Sequence, residues 1–292
     1  MTEEQRFFFD TFGYLIIPNA LDNDQVSKLR KTLRYPVEQW EPLAPSKGVL
    51  HWHKIWRDLI DLDTLSPILE ELIGDPTLMN TRKTNDDEHF LPLPTFRLDH
   101  INIHTHIDKN FKGGILHGGP LGDTNGMFRY HDGYFSNGLI SVSFELYNTY
   151  PNNGGFCCIP GTHKSNIKLP DIWKDLSKGV ASWVKRIPAK PGEAIIFTEA
   201  LIHGTLPWDV DSKRSTVFYK YSPHSSSWSS EYFDPKDFRK YRDMDDRKLS
   251  ILEPPNARYK GRLSKPKQMD QASDQFSLIY ESERNLKVKL VI

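Results

Sequence analysis

Pro191-Gly-Glu-Ala-Ile-Ile-Phe-Thr-Glu-Ala-Leu-Ile-His-Gly-Thr205 is the stretch on which the fold turns. Lys190-Pro191-Gly192 makes a tight turn, and the apolar run after it reads as a strand that ends in His203. A rigid strand holds an imidazole nitrogen in a fixed direction, as a metal site requires. Eleven residues later Arg214 and Ser215 open a second β-like run, which continues to Pro223. An arginine there can point into the same cavity and take a carboxylate through two parallel N–H bonds. Ile-His-Gly alone is a weak signal, since most such histidines are structural or lie at the surface. Its combination with Arg-Ser on a second run is far more specific.

Outward from this stretch the texture repeats. Short β-like runs at 96–105, 138–150, 154–160, 193–205 and 214–223 are separated by Gly, Pro and Asn, as at Asn152-Asn-Gly-Gly155. Runs of this length and spacing predict an antiparallel sandwich or barrel. The N-terminal third predicts a helix over 3–12, a strand over 13–18 and a helix over 23–33 capped by Asp22. An amphipathic helix over 56–73 ends at Gly74 and Pro76. Beyond Pro223 the chain is polar, with a charged helix candidate at 235–249 and a surface arm at 254–275. This organisation predicts a mainly β domain over 1–223 with flanking helices, and a charged C-terminal extension over 224–292.

Lys plus Arg equals Asp plus Glu, 38 each in 292 residues. No global field therefore draws the chain to nucleic acid or to an anionic membrane. The two cysteines, Cys157 and Cys158, are adjacent, and neighbours in a strand point to opposite faces. They read as two small buried residues in a reducing compartment. The opening Met1–Leu15 carries no basic segment followed by a long apolar one, and no run approaches a membrane span. A soluble, cytoplasmic protein, monomeric or homodimeric, is expected.

Asn152-Asn-Gly-Gly-Phe-Cys-Cys-Ile-Pro-Gly-Thr-His-Lys164, then Pro191-Gly-Glu193, Leu201-Ile-His-Gly204 and Arg214-Ser215 together resemble the core of the phytanoyl-CoA dioxygenase family. Phe12-Gly-Tyr-Leu-Ile-Ile-Pro18 is similar to that family's opening. The resemblance implies a double-stranded β-helix, a jelly roll. It also implies iron(II), with 2-oxoglutarate and dioxygen as co-substrates. Arg214 is then the residue that holds 2-oxoglutarate, with Thr205 and Phe144 shaping its pocket, and His203 is a metal ligand.

The partner side of the metal is where the sequence departs from the family pattern. Such a site takes two histidines and one carboxylate, usually with the first pair as His-x-Asp. By position the first ligand is His117 in Leu116-His-Gly-Gly-Pro120, which puts Gly119 at the carboxylate position. Three readings stay open. His117 and His203 bind iron without a carboxylate, leaving a position for a halide or water, and a branch of the family shares Leu-His-Gly-Gly. Alternatively Asp123 or Asp132 completes the site. In the third, the pair is His106-Ile-Asp108, a literal His-x-Asp.

His100 and His104 share a strand face that could line the pocket. His131 and His163 read as turn residues, and His51 and His53 flank Trp52 near a helix start. Trp173 and Trp183 belong to an insert over 165–187. The expected activity is iron(II)/2-oxoglutarate-dependent hydroxylation of a small organic molecule, with 2-oxoglutarate converted to succinate and CO₂. A halogenase built around Gly119 and a non-catalytic β-helix binding a small ligand are the alternatives.

Overall fold

The computed structural model describes residues 1–33, 48–75, 78, 93–106, 111–120, 127–150 and 153–259. The chain divides into one compact unit, Met1–Pro255, and a second, Asn256–Ile292, of which only the turn at 256–259 is described. The five predicted β runs all carry strands. A five-stranded antiparallel sheet is built from β1 (Tyr14–Ile17), β2 (Phe96–His106), β5 (Ile140–Glu145), β8 (Ala194–Thr198) and β10 (Arg214–Pro223), in the order β1-β8-β5-β10-β2. A three-stranded sheet has the order β7-β6-β9, from β6 (Gly155–Cys158), β7 (Lys185–Arg186) and β9 (His203–Leu206). Bridges at Phe111–Trp208 and His117–His203 add the 111–117 segment beside β9. This is the expected jelly roll. β3 (Phe128–His131) and β4 (Tyr134–Asn137) form a separate hairpin.

Period-2 alternation gives the large sheet two different faces. Ile101, Ile103, Ile140, Val142, Phe144, Ile196, Val217 and Tyr219 point to the helical layer and share its apolar core. That layer is α1 (Glu3–Phe12), α2 (Asn23–Thr32), α3 (Lys54–Asp58) and α4 (Ser66–Ile73). Tyr219 Oη donates to the Trp56 carbonyl at 2.6 Å, and Tyr221 Oη to those of Leu59 and Ile60 at 3.2 Å. The opposite face looks into the barrel. There Phe156 and Cys158 of the small sheet meet Ile195, Phe197 and Phe218 of the large one.

The helix expected over 56–73 is interrupted. α3 passes into a 3₁₀ turn at Leu59–Asp61, and α4 starts afresh at Ser66 with Pro67 in its first turn. Proline has no N–H to continue a preceding helix but suits the start of a new one. The 235–249 segment yields a 3₁₀ turn at Pro235–Asp237 and only a short helix, α5 (Asp246–Ile251), capped by Asp245. The arm expected at 254–275 lies almost wholly outside the described residues. Among the described residues no helix is long and apolar enough to cross a membrane. Cys157 and Cys158 are free and buried, and burial pushes the Cys157 thiol up to about 12.

His163 is the structural turn residue that was expected. Its Nε2 donates to the Asp10 carbonyl at 2.9 Å, and its ring meets Phe128 edge-on at 4.5 Å. It packs so closely on Gly13, the left-handed residue that ends α1, that a Cβ there would lie 2.6 Å from Nδ1. Burial lowers the His163 pKa to about 4, and the Asp10 bond only partly opposes this. The unfolded chain therefore binds a proton below about pH 6.5 that the folded chain refuses. Stability should fall as pH drops from about 6.5 and level off near 4, by about 3 kcal/mol from this residue. Urea unfolding of His163→Gln at pH 7 and pH 4 should show a pH-dependent loss smaller than the parent's by roughly that amount.

Candidate active site

The run 193–205 is not one strand. β8 ends at Thr198, whose carbonyl accepts the Leu201 N–H at 2.9 Å, and the chain turns through 199–202 before β9 begins at His203. His203 therefore opens a strand instead of closing one. Directly across from it lies His117. Each residue's N–H donates to the other's carbonyl at 2.9 Å, so both side chains fall on one face. The ring centroids are 4.2 Å apart.

Both rings are oriented in the same way. His117 Nδ1 lies 2.9 Å from the Ile115 carbonyl, and His203 Nδ1 lies 2.7 Å from that of Leu201. A carbonyl only accepts, so each Nδ1 carries the proton and each Nε2 is left with a lone pair. This is how metal-binding imidazoles are fixed in tautomer and direction. Burial first, and then the neighbouring His117, hold the His203 pKa down at about 3, which keeps the imidazole neutral.

A third group joins them that the sequence reading missed. Glu199, in the turn four residues before His203, places Oε2 3.6 Å from His203 Nε2. One ligand atom from each of His117, Glu199 and His203 lies within 4.8 Å of the others. Glu199 and His203 are buried, while His117 is exposed, so the cluster opens to solvent on the His117 side. The other carboxylate oxygen, Oε1, accepts from Lys220 Nζ at 2.8 Å and from Ser141 Oγ. Burial works to raise the Glu199 pKa, but Lys220 and the hydrogen bonds override it and hold the group well below the usual carboxylate range.

Immediately after His117 the backbone leaves the strand. Gly118 and Gly119 have φ +89° and +93°. A Cβ on Gly118 would come within 2.4 Å of the Leu201 carbonyl oxygen, so this position demands glycine. A Cβ on Gly119 would meet Ile202 Cγ1 at 3.3 Å. Ile202 belongs to the cluster with Leu116, Cys157 and Leu206, on the other face of the small sheet from His203. Position 119 thus does not share the face of His117, contrary to what extended geometry over 117–119 implies.

Arg214 is fully buried at the start of β10. Its Nη2 donates to Glu145 Oε1 at 2.9 Å, and Thr216 Oγ1 donates to the other Glu145 oxygen at 2.7 Å. Among the described residues Nε and Nη1 have no hydrogen-bond partner. Gly155 lies beside them, where a Cβ would be 3.6 Å from Nε. The absent side chain leaves room beside Nε; the two free donors lie on different edges of the guanidinium, so each offers a carboxylate a single charge-assisted hydrogen bond. Unsatisfied N–H groups of this kind are costly and demand an explanation. Thr205 is half-buried on the same face of β9 as His203.

Phe144 is a correction. Paired with Val217 and packed on Tyr219, it faces the helical layer, and its neighbours Ser143 and Glu145 face the interior instead. In the other readings of the metal site, the backbone of His106 is paired with that of Arg214, and Asp108 lies outside the described residues. Asp123 also lies outside them. Asp132 occupies the exposed tip of the β3–β4 hairpin, its carboxylate 2.9 Å from His131 Nδ1.

His100 and His104 do look inward. His100 bonds Asp99 at 2.7 Å and stacks on Trp228 at 4.8 Å, and His104 packs against Phe218. His51 stacks on Phe238, and His53 caps α3. Trp173 and Trp183 pack edge-on against each other at 4.9 Å, both half exposed.

Residues 122–215 match the profile of the phytanoyl-CoA dioxygenase (PhyH) family, a span that includes Glu199, His203 and Arg214 and starts just after His117. No curated protein matches the chain. Among solved structures, HygX from Streptomyces hygroscopicus with nickel and 2-oxoglutarate bound superposes with a TM-score of 0.62 at 20% identity. That match covers 82% of this chain and 94% of HygX. EctD from S. alaskensis with 2-oxoglutarate and 5-hydroxyectoine gives 0.55 at 18%, covering 78% of each chain. At these identities the likeness is one of fold.

Gly118→Ala should displace the strand that carries His117. A left-handed backbone costs an alanine about 1–2 kcal/mol before any clash is counted. The variant should lose metal affinity and melt lower, whereas Gly114→Ala, with nothing nearer than 3.7 Å to its Cβ, should keep its metal affinity.

Proposed function

We propose that this chain, whose residues 122–215 carry the match to the phytanoyl-CoA dioxygenase family of iron(II)- and 2-oxoglutarate-dependent oxygenases, is a dioxygenase that hydroxylates a small organic molecule. The observation that carries this reading is the pair of free N–H groups on buried Arg214, in the same barrel interior as two histidines with free Nε2 lone pairs. Neither feature helps a sheet to fold. Together they fit a divalent metal and a dicarboxylate.

Each group has a distinct task. His117 and His203 would hold the metal through Nε2, their Nδ1 protons locked on the Ile115 and Leu201 carbonyls. Arg214 would hold the distal carboxylate of 2-oxoglutarate through its charge and one of its free donors, Nε or Nη1, while Nη2 is fixed by Glu145. Glu145, itself held by Thr216, keeps the guanidinium from rotating away. Phe156, Phe197 and Phe218 keep the interior between the sheets dry. Iron bound there supplies the activation of dioxygen, which converts 2-oxoglutarate to succinate and CO₂ and oxidises a substrate C–H bond. The substrate enters from the exposed His117 side. HygX is seen with hygromycin B and EctD with 5-hydroxyectoine, which supports a small polar molecule as the substrate class.

The test is oxygen-dependent formation of succinate from 2-oxoglutarate by the purified protein with iron(II). Arg214→Met should raise the 2-oxoglutarate dissociation constant at least about thirty-fold, the equivalent of about 2 kcal/mol, and leave metal binding intact. A parent protein that neither binds 2-oxoglutarate nor forms succinate would sink the proposal. So would an Arg214→Met protein with unchanged 2-oxoglutarate affinity.

A further inference from the structure

We infer that Glu199 is the third protein ligand of the metal, so that the carboxylate of this site comes from the turn before the second histidine and not from position 119. The inference rests on the two-histidine reading above. Its starting point is a contact that makes little sense without a cation. His203 Nε2 and Glu199 Oε2 face each other at 3.6 Å, and His203 carries its proton on Nδ1, where the Leu201 carbonyl accepts it. Both facing atoms are therefore acceptors, one of them on an anion. Two lone pairs brought together in a buried site repel unless a positive centre lies between them. His117 completes the group: one ligand atom from each of the three residues lies within 4.8 Å of the others, and His117 keeps its Nε2 lone pair because Nδ1 is bonded to the Ile115 carbonyl.

The way Glu199 is held points in the same direction. Lys220 and Ser141 both bind Oε1, which fixes the carboxylate plane and leaves Oε2 for the histidine side. A glutamate present only to neutralise Lys220 would need nothing from His203. Lys220 and Ser141 are positioning residues here: they steer the carboxylate and touch nothing that reacts. Two neutral imidazoles and one carboxylate make the donor set of a non-haem iron(II) oxygenase.

The backbone also explains why the usual position is vacant. After His117 the chain turns out of the strand through two left-handed glycines, and a side chain at 119 would run to Ile202 on the far face. The glycine there is a consequence of that turn. It does not leave an opening for a halide on the metal, and turnover should not depend on chloride.

The experiment is cobalt(II) binding to the parent, Glu199→Gln, Gly119→Asp and His117→Ala, read by competition with a chromophoric chelator and by the visible spectrum of the bound cobalt. Glu199→Gln should weaken cobalt at least about a hundred-fold and change its spectrum, as His117→Ala should, while Gly119→Asp gains no affinity. Glu199→Gln with parental affinity and spectrum, beside a His117→Ala that has lost cobalt, would overturn the assignment and leave the dioxygenase reading standing. A parent that binds no cobalt would remove both. Should Glu199→Gln fail to fold, a crystal structure of the cobalt-loaded parent decides. Oε2 bonded to the metal supports the assignment, and Oε2 turned away with another ligand in its place overturns it.

Discussion

Two backbone hydrogen bonds between His117 and His203, each 2.9 Å long, join the 111–117 segment to β9 and set two imidazoles side by side. Little else in the site would matter without them. A reciprocal pair in an antiparallel ladder puts both side chains on one face, and each ring is then turned by a carbonyl two residues behind it. The placement of the two imidazoles is thus written mainly in backbone. That is why Gly118 is so constrained: its hydrogen faces the Leu201 carbonyl that accepts the His203 Nδ1 proton.

Around this pair the interior is charged but balanced locally. Arg214 faces Glu145, and Lys220 faces Glu199, both as ion pairs at 2.8–2.9 Å with side chains largely withdrawn from water. Buried pairs of this kind seldom stabilise a fold relative to apolar packing, because both charges must first be desolvated. Their presence in a barrel otherwise lined by Phe156, Phe197 and Phe218 is better explained by what they hold in place. Arg214 keeps two donors free, and Glu199 keeps one oxygen free. Each pair anchors one end of a charged group and leaves its other end unpaired by that partner.

The sequence made the strands legible, and it singled out His117 and His203, which the fold sets across from each other, because turn residues and alternation are local signals. It misled wherever geometry depends on chain reversal. The run 193–205 is apolar enough to read as one strand, and in that reading Glu199 and His203, four residues apart, lie on one face about 13 Å from each other. The turn through 199–202 shortens that distance to a contact, which is why the glutamate was overlooked. Phe144 failed by parity, since the pairing of Thr216 with Glu145 turns Ser143 and Glu145 inward and Phe144 out. Gly119 was judged as though extended geometry continued past His117, and only its φ of +93° removes it from the face of that histidine. In each case the deciding information was three-dimensional. Glu-x-x-x-His just beyond an apolar run was the one local clue that the chain offered.

Anaerobic addition of iron(II) and 2-oxoglutarate to the unsubstituted protein tests the central claim most directly. The account predicts a weak visible charge-transfer band that requires both additions and saturates at one iron and one 2-oxoglutarate per chain. No band with both present, in folded protein, would contradict it.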